Sequence, residues 1–154
     1  MIDTLDKTDL AILQLLQIDS SLSTSEIAER VNLSQAPCWR RIQRLENKGY
    51  IQKRIAVLNR KALGFSLVMY TEVKLIDNNL KTLKEFESAV CKYPEITECY
   101  SMLGNADFLL RIVTKDMQSC EHFFYQHLSK LPNIHAFNSN VVLSELKNTQ
   151  ALPL

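Results

Sequence analysis

The sequence predicts an α+β chain: an N-terminal three-helix helix-turn-helix domain (winged), then a C-terminal ferredoxin-like βαββαβ domain. Three observations carry this. The first fifty residues hold three helical apolar periods, and only Asn32-Leu33-Ser34 separates the second from the third. Beyond Gly64 the period changes to strand-type alternation. The later segments then run strand, helix, strand, strand, helix, strand, which is the split βαβ order. The expected domains are residues 1–50, a linking strand or wing at 51–64, and residues 65–154.

Bulk properties bound the class. At 154 residues, with 46% hydrophobic residues and only 3 Gly and 4 Pro, the chain reads as globular and rich in regular structure. No run of 18 apolar residues and no charged-then-apolar leader is present, so a cytoplasmic protein away from membranes is expected. Cys38, Cys91, Cys99 and Cys120 are scattered without a C-x-x-C pair. They read as reduced, mostly buried thiols, and neither a metal site nor a cofactor is expected.

The first helix is expected over residues 6–17, DKTDLAILQLLQ: Asp6 caps, Asp9 sits in the first turn, and Leu10, Leu13 and Leu16 share a face. Leu5 is placed to staple against it. Ser23 and Glu26 have capping-box spacing ahead of Ile27, Ala28 and Val31. Asn32-Leu33 interrupts, Ser34 offers a capping hydroxyl, and Pro37 lies in the first turn of the next helix, where no donor is lost. In that helix Cys38, Ile42 and Leu45 fall in a narrow arc at about 100° per residue. Arg40 and Arg44 point almost opposite, flanked by Arg41 and Gln43, with Gln35 and Ala36 at the exposed start. Gly49 ends it as a left-handed cap.

A short helix, a tight turn and a basic second helix make a DNA-reading unit, although a basic helix face is also an ordinary solvated surface. Charge distribution separates the two. From Ser34 to Lys61 there are eight Lys/Arg against one acid, Glu46, or +7; from Ala62 onward there are eight basic and ten acidic residues, or −2. The total of +1 hides a positive end suited to a phosphate backbone. Expected DNA-binding residues are Ser34, Gln35, Ala36, Trp39, Arg40, Arg41, Gln43 and Arg44, with Lys53 and Arg54 on the following segment. Two places are open to Trp39: packing against the first helix, which is preferred, or stacking over a sugar or thymine methyl.

In the second domain, residues 66–75 alternate, with Leu67, Met69, Thr71 and Val73 on one side and Val68, Tyr70, Glu72 and Lys74 on the other. A helix at 79–92 carries Leu80, Leu83, Phe86 and Val90. Strands ITECYSML and DFLLRIVT are joined by Gly104-Asn105-Ala106. A helix at 116–131 carries Met117, Cys120, Phe124, Leu128 and Leu131, and a last strand lies in HAFNSNVVLSELK. Both helices on one face leave the other face open, and Val68, Tyr70 and Leu109 there suggest a homodimer. A dimer also suits a single helix-turn-helix, because a two-fold axis presents two copies to two half-sites of double-stranded DNA.

LDKTDLAILQLLQ, SEIAERVNLSQAPCWRRIQRLENKGYI, AVLNRKALG, ECYSMLGNADFLLRI and VVLSELKNTQALPL together resemble the leucine-responsive regulatory protein/AsnC (feast/famine) family of transcriptional regulators, nearly end to end. The resemblance implies dimerisation through the C-terminal domain, assembly into octamers (four dimers), and an amino acid effector held between dimers. Carried onto this chain, the effector site comprises Leu103, Gly104, Asn105, Ala106 and Asp107, with Tyr100 and Met102 lining a side-chain pocket and Asn138, Ser139 and Asn140 from across it. Asp107 would hold the α-ammonium; in a bare hairpin it would simply cap the turn. Leucine or methionine is the first expectation.

The alternative from another class is a tetrapyrrole-decarboxylase-like enzyme of the same architecture. His122 and His127, five apart, are not expected to share a helix face; neither they nor His135 pair with an obvious carboxylate. A module that binds an amino acid and regulates only a protein partner is disfavoured by the local basic charge.

Overall fold

A computed structural model describes residues 5–154, which divide into two compact units. One comprises residues up to Val57 together with Lys147–Leu154; the other is Leu58–Leu146. The last eight residues therefore cluster with the helical unit, not with the domain they follow in sequence.

The helical unit contains α1 (Lys7–Ile18), α2 (Thr24–Arg30) and α3 (Gln35–Asn47). Reciprocal capping boxes start the first two: Asp6 with Asp9, and Ser23 with Glu26. Ser34 occupies the N-cap of α3, but its hydroxyl makes no capping bond. Helix α3 stops as the sequence requires. Gly49 takes φ +76°, its amide donates to the Glu46 carbonyl, and the Tyr50 amide donates to the Leu45 carbonyl, which is a Schellman pair. Cys38, Ile42 and Leu45 are the buried seam of α3 and join Ile12, Leu16, Leu22, Ile27 and Ala28 in one core.

Helix α1 is rotated from its expected setting. Asp9, Ile12 and Leu16 are its buried residues, whereas Leu10 and Leu13 are only partly covered. With leucines at 10, 13, 15 and 16 the apolar arc is broad, and packing on α3 selects the face that also buries Asp9. The tail is bonded to α1: the Gln17 amide donates to the Leu152 carbonyl at 3.0 Å and accepts its N–H at 2.9 Å, and Gln14 donates to the Leu154 carbonyl at 2.7 Å. None of residues 52–59, expected as a wing or linking strand, joins a sheet.

The second unit is a four-stranded antiparallel sheet, β1 (Leu67–Leu75), β2 (Ile96–Ser101), β3 (Phe108–Thr114) and β4 (Ile134–Val141), in the order β2-β3-β1-β4. Helices α4 (Leu80–Val90) and α5 (Met117–Gln126) complete the βαββαβ order. Leu67, Met69, Val73 and Leu75 pack with Phe86, Val90, Phe108, Leu110, Ile112 and Phe123. The period of 2 in β1 is what aims this set at the helices.

Four details differ from expectation. Leu80 is exposed and Thr82 takes its place in the buried face of α4. Met117 is also exposed, while Phe123 is buried. Val68 is already buried within the protomer, so the open face is led by Tyr70 and Tyr100 among polar residues. Of the cysteines, Cys91 and Cys99 are exposed and only Cys38 and Cys120 are buried.

Candidate nucleic-acid interface and effector site

Because Cys38, Ile42 and Leu45 must face the core, the remaining surface of α3 is presented outward. Ser34, Gln35, Ala36, Trp39 and Arg40 are all exposed there. Trp39 is 54% exposed and lies outside the core cluster, so much of its ring surface is open on this face. Among the described residues Arg40 has no hydrogen bond or ion pair, and the same is true of Lys53.

Four other side chains of this surface, those of Arg41, Gln43, Arg44 and Arg54, are tethered. Arg41 Nη1 bonds Asp6 Oδ2 at 2.6 Å and Asp9 Oδ1 at 2.8 Å, and Arg44 Nη2 bonds Asp9 Oδ2. Arg44, expected to point almost opposite the core seam, turns its guanidinium to Asp9 instead. Its Cβ direction is set by the helix, but a long side chain can swing its guanidinium to a nearby carboxylate. The Asp6 carboxyl is held below its ordinary value, first by the Asp9 amide and then by Arg41, and the bonds to the Asp6 and Asp9 side chains raise Arg41. Gln43 and Arg54 meet at Glu46, with bonds of 2.9 Å each. Asp9, 1% exposed, was not singled out by the sequence beyond its helix-capping place. A carboxylate at the buried face of an amphipathic helix, aligned with Ile12 and Leu16, is the signal that marks it.

The loop between β2 and β3 is open. Leu103, Gly104 and Asn105 are exposed, and a Cβ built on Gly104 meets nothing within 4 Å. Asp107 is its anchor. Its Oδ1 accepts from Lys74 Nζ at 2.8 Å, its Oδ2 from the Leu75 amide at 2.8 Å, its own amide donates to the Val73 carbonyl, and its carbonyl accepts from Met102. Burial pushes this carboxyl up, but the Lys74 and Leu75 bonds outweigh burial and leave it below its ordinary value. Both oxygens are thus engaged within the protomer.

A lowered carboxyl stabilises the fold above its ordinary pKa and loses that contribution as pH falls through the lowered value. Asp107→Asn, which keeps an acceptor for Leu75, should cost about 1 kcal/mol at pH 7 and flatten the acid limb of a denaturant-derived stability profile below about pH 4. An unchanged acid limb would refute the role given to this ion pair.

Asn138, Ser139 and Asn140 are not brought to that loop within one protomer. They lie on β4, and in the order β2-β3-β1-β4 two strands separate β4 from β2. Strand alternation also splits them. Asn138 pairs with Glu72 and Asn140 with Tyr70, whereas Ser139 sits opposite buried Thr71 and bonds its hydroxyl at 2.9 Å. Tyr100 and Met102 are both exposed near the loop.

A winged helix-turn-helix DNA-binding profile matches residues 5–52, and the Lrp/AsnC ligand binding domain matches residues 68–152. The chain belongs to the Lrp/AsnC family. It is 38% identical over 147 residues to a proline dehydrogenase transcriptional activator of Rhizobium radiobacter, covering 96% of this chain and 94% of that one. The leucine-responsive regulatory protein of Escherichia coli (strain K12) is 36% identical over 148 residues, covering 96% and 90%. A transcriptional regulator from Neisseria meningitidis, solved as an L-Met complex, superposes with TM-score 0.93 at 35% identity and 97% coverage of both chains.

This Lrp/AsnC chain is therefore a DNA-binding transcriptional regulator with a ligand-binding domain, and its relatives give the enzymatic alternative no support. The two histidines behind that alternative do come together, contrary to the helical count. Helix α5 ends at Gln126, His127 leaves helical geometry at φ −128°, and its ring lies 6.4 Å from that of His122. Both line a cavity of about 510 Å³ with Phe65, Glu95 and Lys115. Among the described residues no helix is long and apolar enough to cross a membrane.

Proposed function

We propose that this regulator recognises specific double-stranded DNA sequences as a homodimer or a higher assembly, up to an octamer, and that an amino acid changes its DNA binding. Leucine or methionine is the first choice. The observation that carries the DNA half is the exposed face of α3, where the side chains of Gln35, Trp39 and Arg40 have no hydrogen bond or ion pair among the described residues. A helix with a buried seam and free polar groups opposite is the shape that fits a major groove.

The effector half is supported by the matched ligand-binding domain and by the relative solved with L-Met. In this reading the amides of Gly104–Ala106 receive the α-carboxylate and Met102 and Tyr100 flank the side chain. Asp107 holds the loop, so an α-ammonium reaching it competes with Lys74. Since β4 is two strands away, Asn138, Ser139 and Asn140 would contribute from a neighbouring subunit, which ties the effector to assembly. The open sheet face with Tyr70 and Leu109 is the dimer contact in this proposal.

A thermal-shift screen with the twenty amino acids tests the effector. A ligand at 100-fold its Kd adds about 2.7 kcal/mol of stability, and leucine or methionine is expected to do so. Gel shift on fragmented genomic DNA with and without that amino acid, alongside light scattering, reads its effect on binding and assembly. A strictly monomeric protein that retards no fragment would refute the proposal.

A further inference from the structure

The tethered arginines of α3 define a feature that the recognition-helix reading does not use. Arg41 and Arg44, with Arg40 and Pro37, line an open depression of about 330 Å³. Each guanidinium has five N–H donors, yet Arg41 and Arg44 together make three bonds to Asp6 and Asp9. Arg41 gives only Nη1 to those carboxylates and Arg44 only Nη2. Among the described residues the remaining donors of both are unspent, and the two side chains remain 29% and 45% exposed.

Asp9 sets this geometry. Its side chain is 2% exposed, and its two oxygens hold one arginine each. Its carboxylate also accepts the Asp6 amide at 3.2 Å, and its own amide donates to Asp6 at 2.8 Å. The capping box that starts α1 is therefore also the clamp on α3. Two long side chains that would otherwise sample many rotamers are held at one rim, so little further conformational entropy is lost when they meet an anion.

Resting on the DNA-binding reading, we propose that Asp9 is a positioning residue. It holds Arg41 and Arg44 as a preset seat for one phosphate of the DNA backbone, and base-edge reading is left to untethered Arg40 and its neighbours. Phosphate contacts fix register and carry no sequence information, whereas base contacts specify. A rigid pair suits the first task and a free arginine the second.

The proposal predicts an effect opposite in sign to simple electrostatics. Asp9→Asn raises the net charge by one, and charge alone would then tighten DNA binding. If Asp9 positions the seat, Asp9→Asn should instead weaken binding to the duplex selected by the wild-type protein from a random pool, by about tenfold or more. Circular dichroism establishes that the variant is folded. Equal or tighter binding by a folded Asp9→Asn would overturn the proposal. Arg44→Ala supplies a second measurement should Asp9→Asn fail to fold. It should weaken binding to the selected and random duplexes alike and reduce the salt slope by about 1. An unchanged slope, or a loss confined to the selected duplex, would make Arg44 a base reader and overturn the assignment. A wild type that prefers no duplex at all would overturn the DNA reading and this inference together. A wild type that selects normally, with Asp9→Asn unimpaired, would overturn this inference alone.

Discussion

Arg40→Ala is expected to lower affinity for the preferred DNA sequence by roughly 5- to 150-fold, the equivalent of about 1–3 kcal/mol. The magnitude follows from what an arginine forked onto a guanine edge contributes to discrimination. Arg40 can serve in that way because it is exposed on α3 and no carboxylate among the described residues holds it. For the same reason its loss removes no internal bond, and thermal stability should stay within about 0.5 kcal/mol of wild type. Random-sequence affinity should fall much less, since one charge among several phosphate contacts is lost. Fluorescence anisotropy on the selected and a scrambled duplex, at two salt concentrations, reads both quantities. Equal losses on the two duplexes would mean that Arg40 contacts phosphate and that base reading lies elsewhere on the helix.

Phe86→Ala should destabilise the ligand-binding unit by about 3–5 kcal/mol. Phe86 is fully buried on α4, and its ring lies 4.6 Å from that of Phe108 on β3. Truncation removes a central contact between helix and sheet and leaves a cavity between rigid elements that cannot collapse to fill it. Because Phe108 follows Asp107 directly, loosening that strand end should also weaken the proposed amino acid response before global unfolding. Urea unfolding followed by circular dichroism measures the first effect, and the leucine or methionine thermal shift the second. A loss under about 1 kcal/mol would show that the core repacks around the gap.

Much of this was legible beforehand because it depends on neighbours in sequence. Capping boxes at Asp6 and Ser23, the left-handed stop at Gly49 and the seam Cys38-Ile42-Leu45 are local events, set by side chains three or four residues apart. The alternation in β1 likewise fixes which side chains meet the helices. Where the apolar arc was too wide to choose, as on α1, or where an element frayed into another geometry, as at His127, local pattern gave no unique answer.

What the sequence by itself determined is the order of elements, the outward face of α3 and the concentration of positive charge around it. Only the tertiary structure decided which of those charges are free. It ties Arg41 and Arg44 to Asp9, Gln43 and Arg54 to Glu46, and Asp107 to Lys74, while leaving Arg40 untethered among the described residues. The reason is physical. Periodicity specifies the direction of a Cβ, but a guanidinium or ammonium ends several bonds away, and its partner is whichever carboxylate the packing of another element brings within reach.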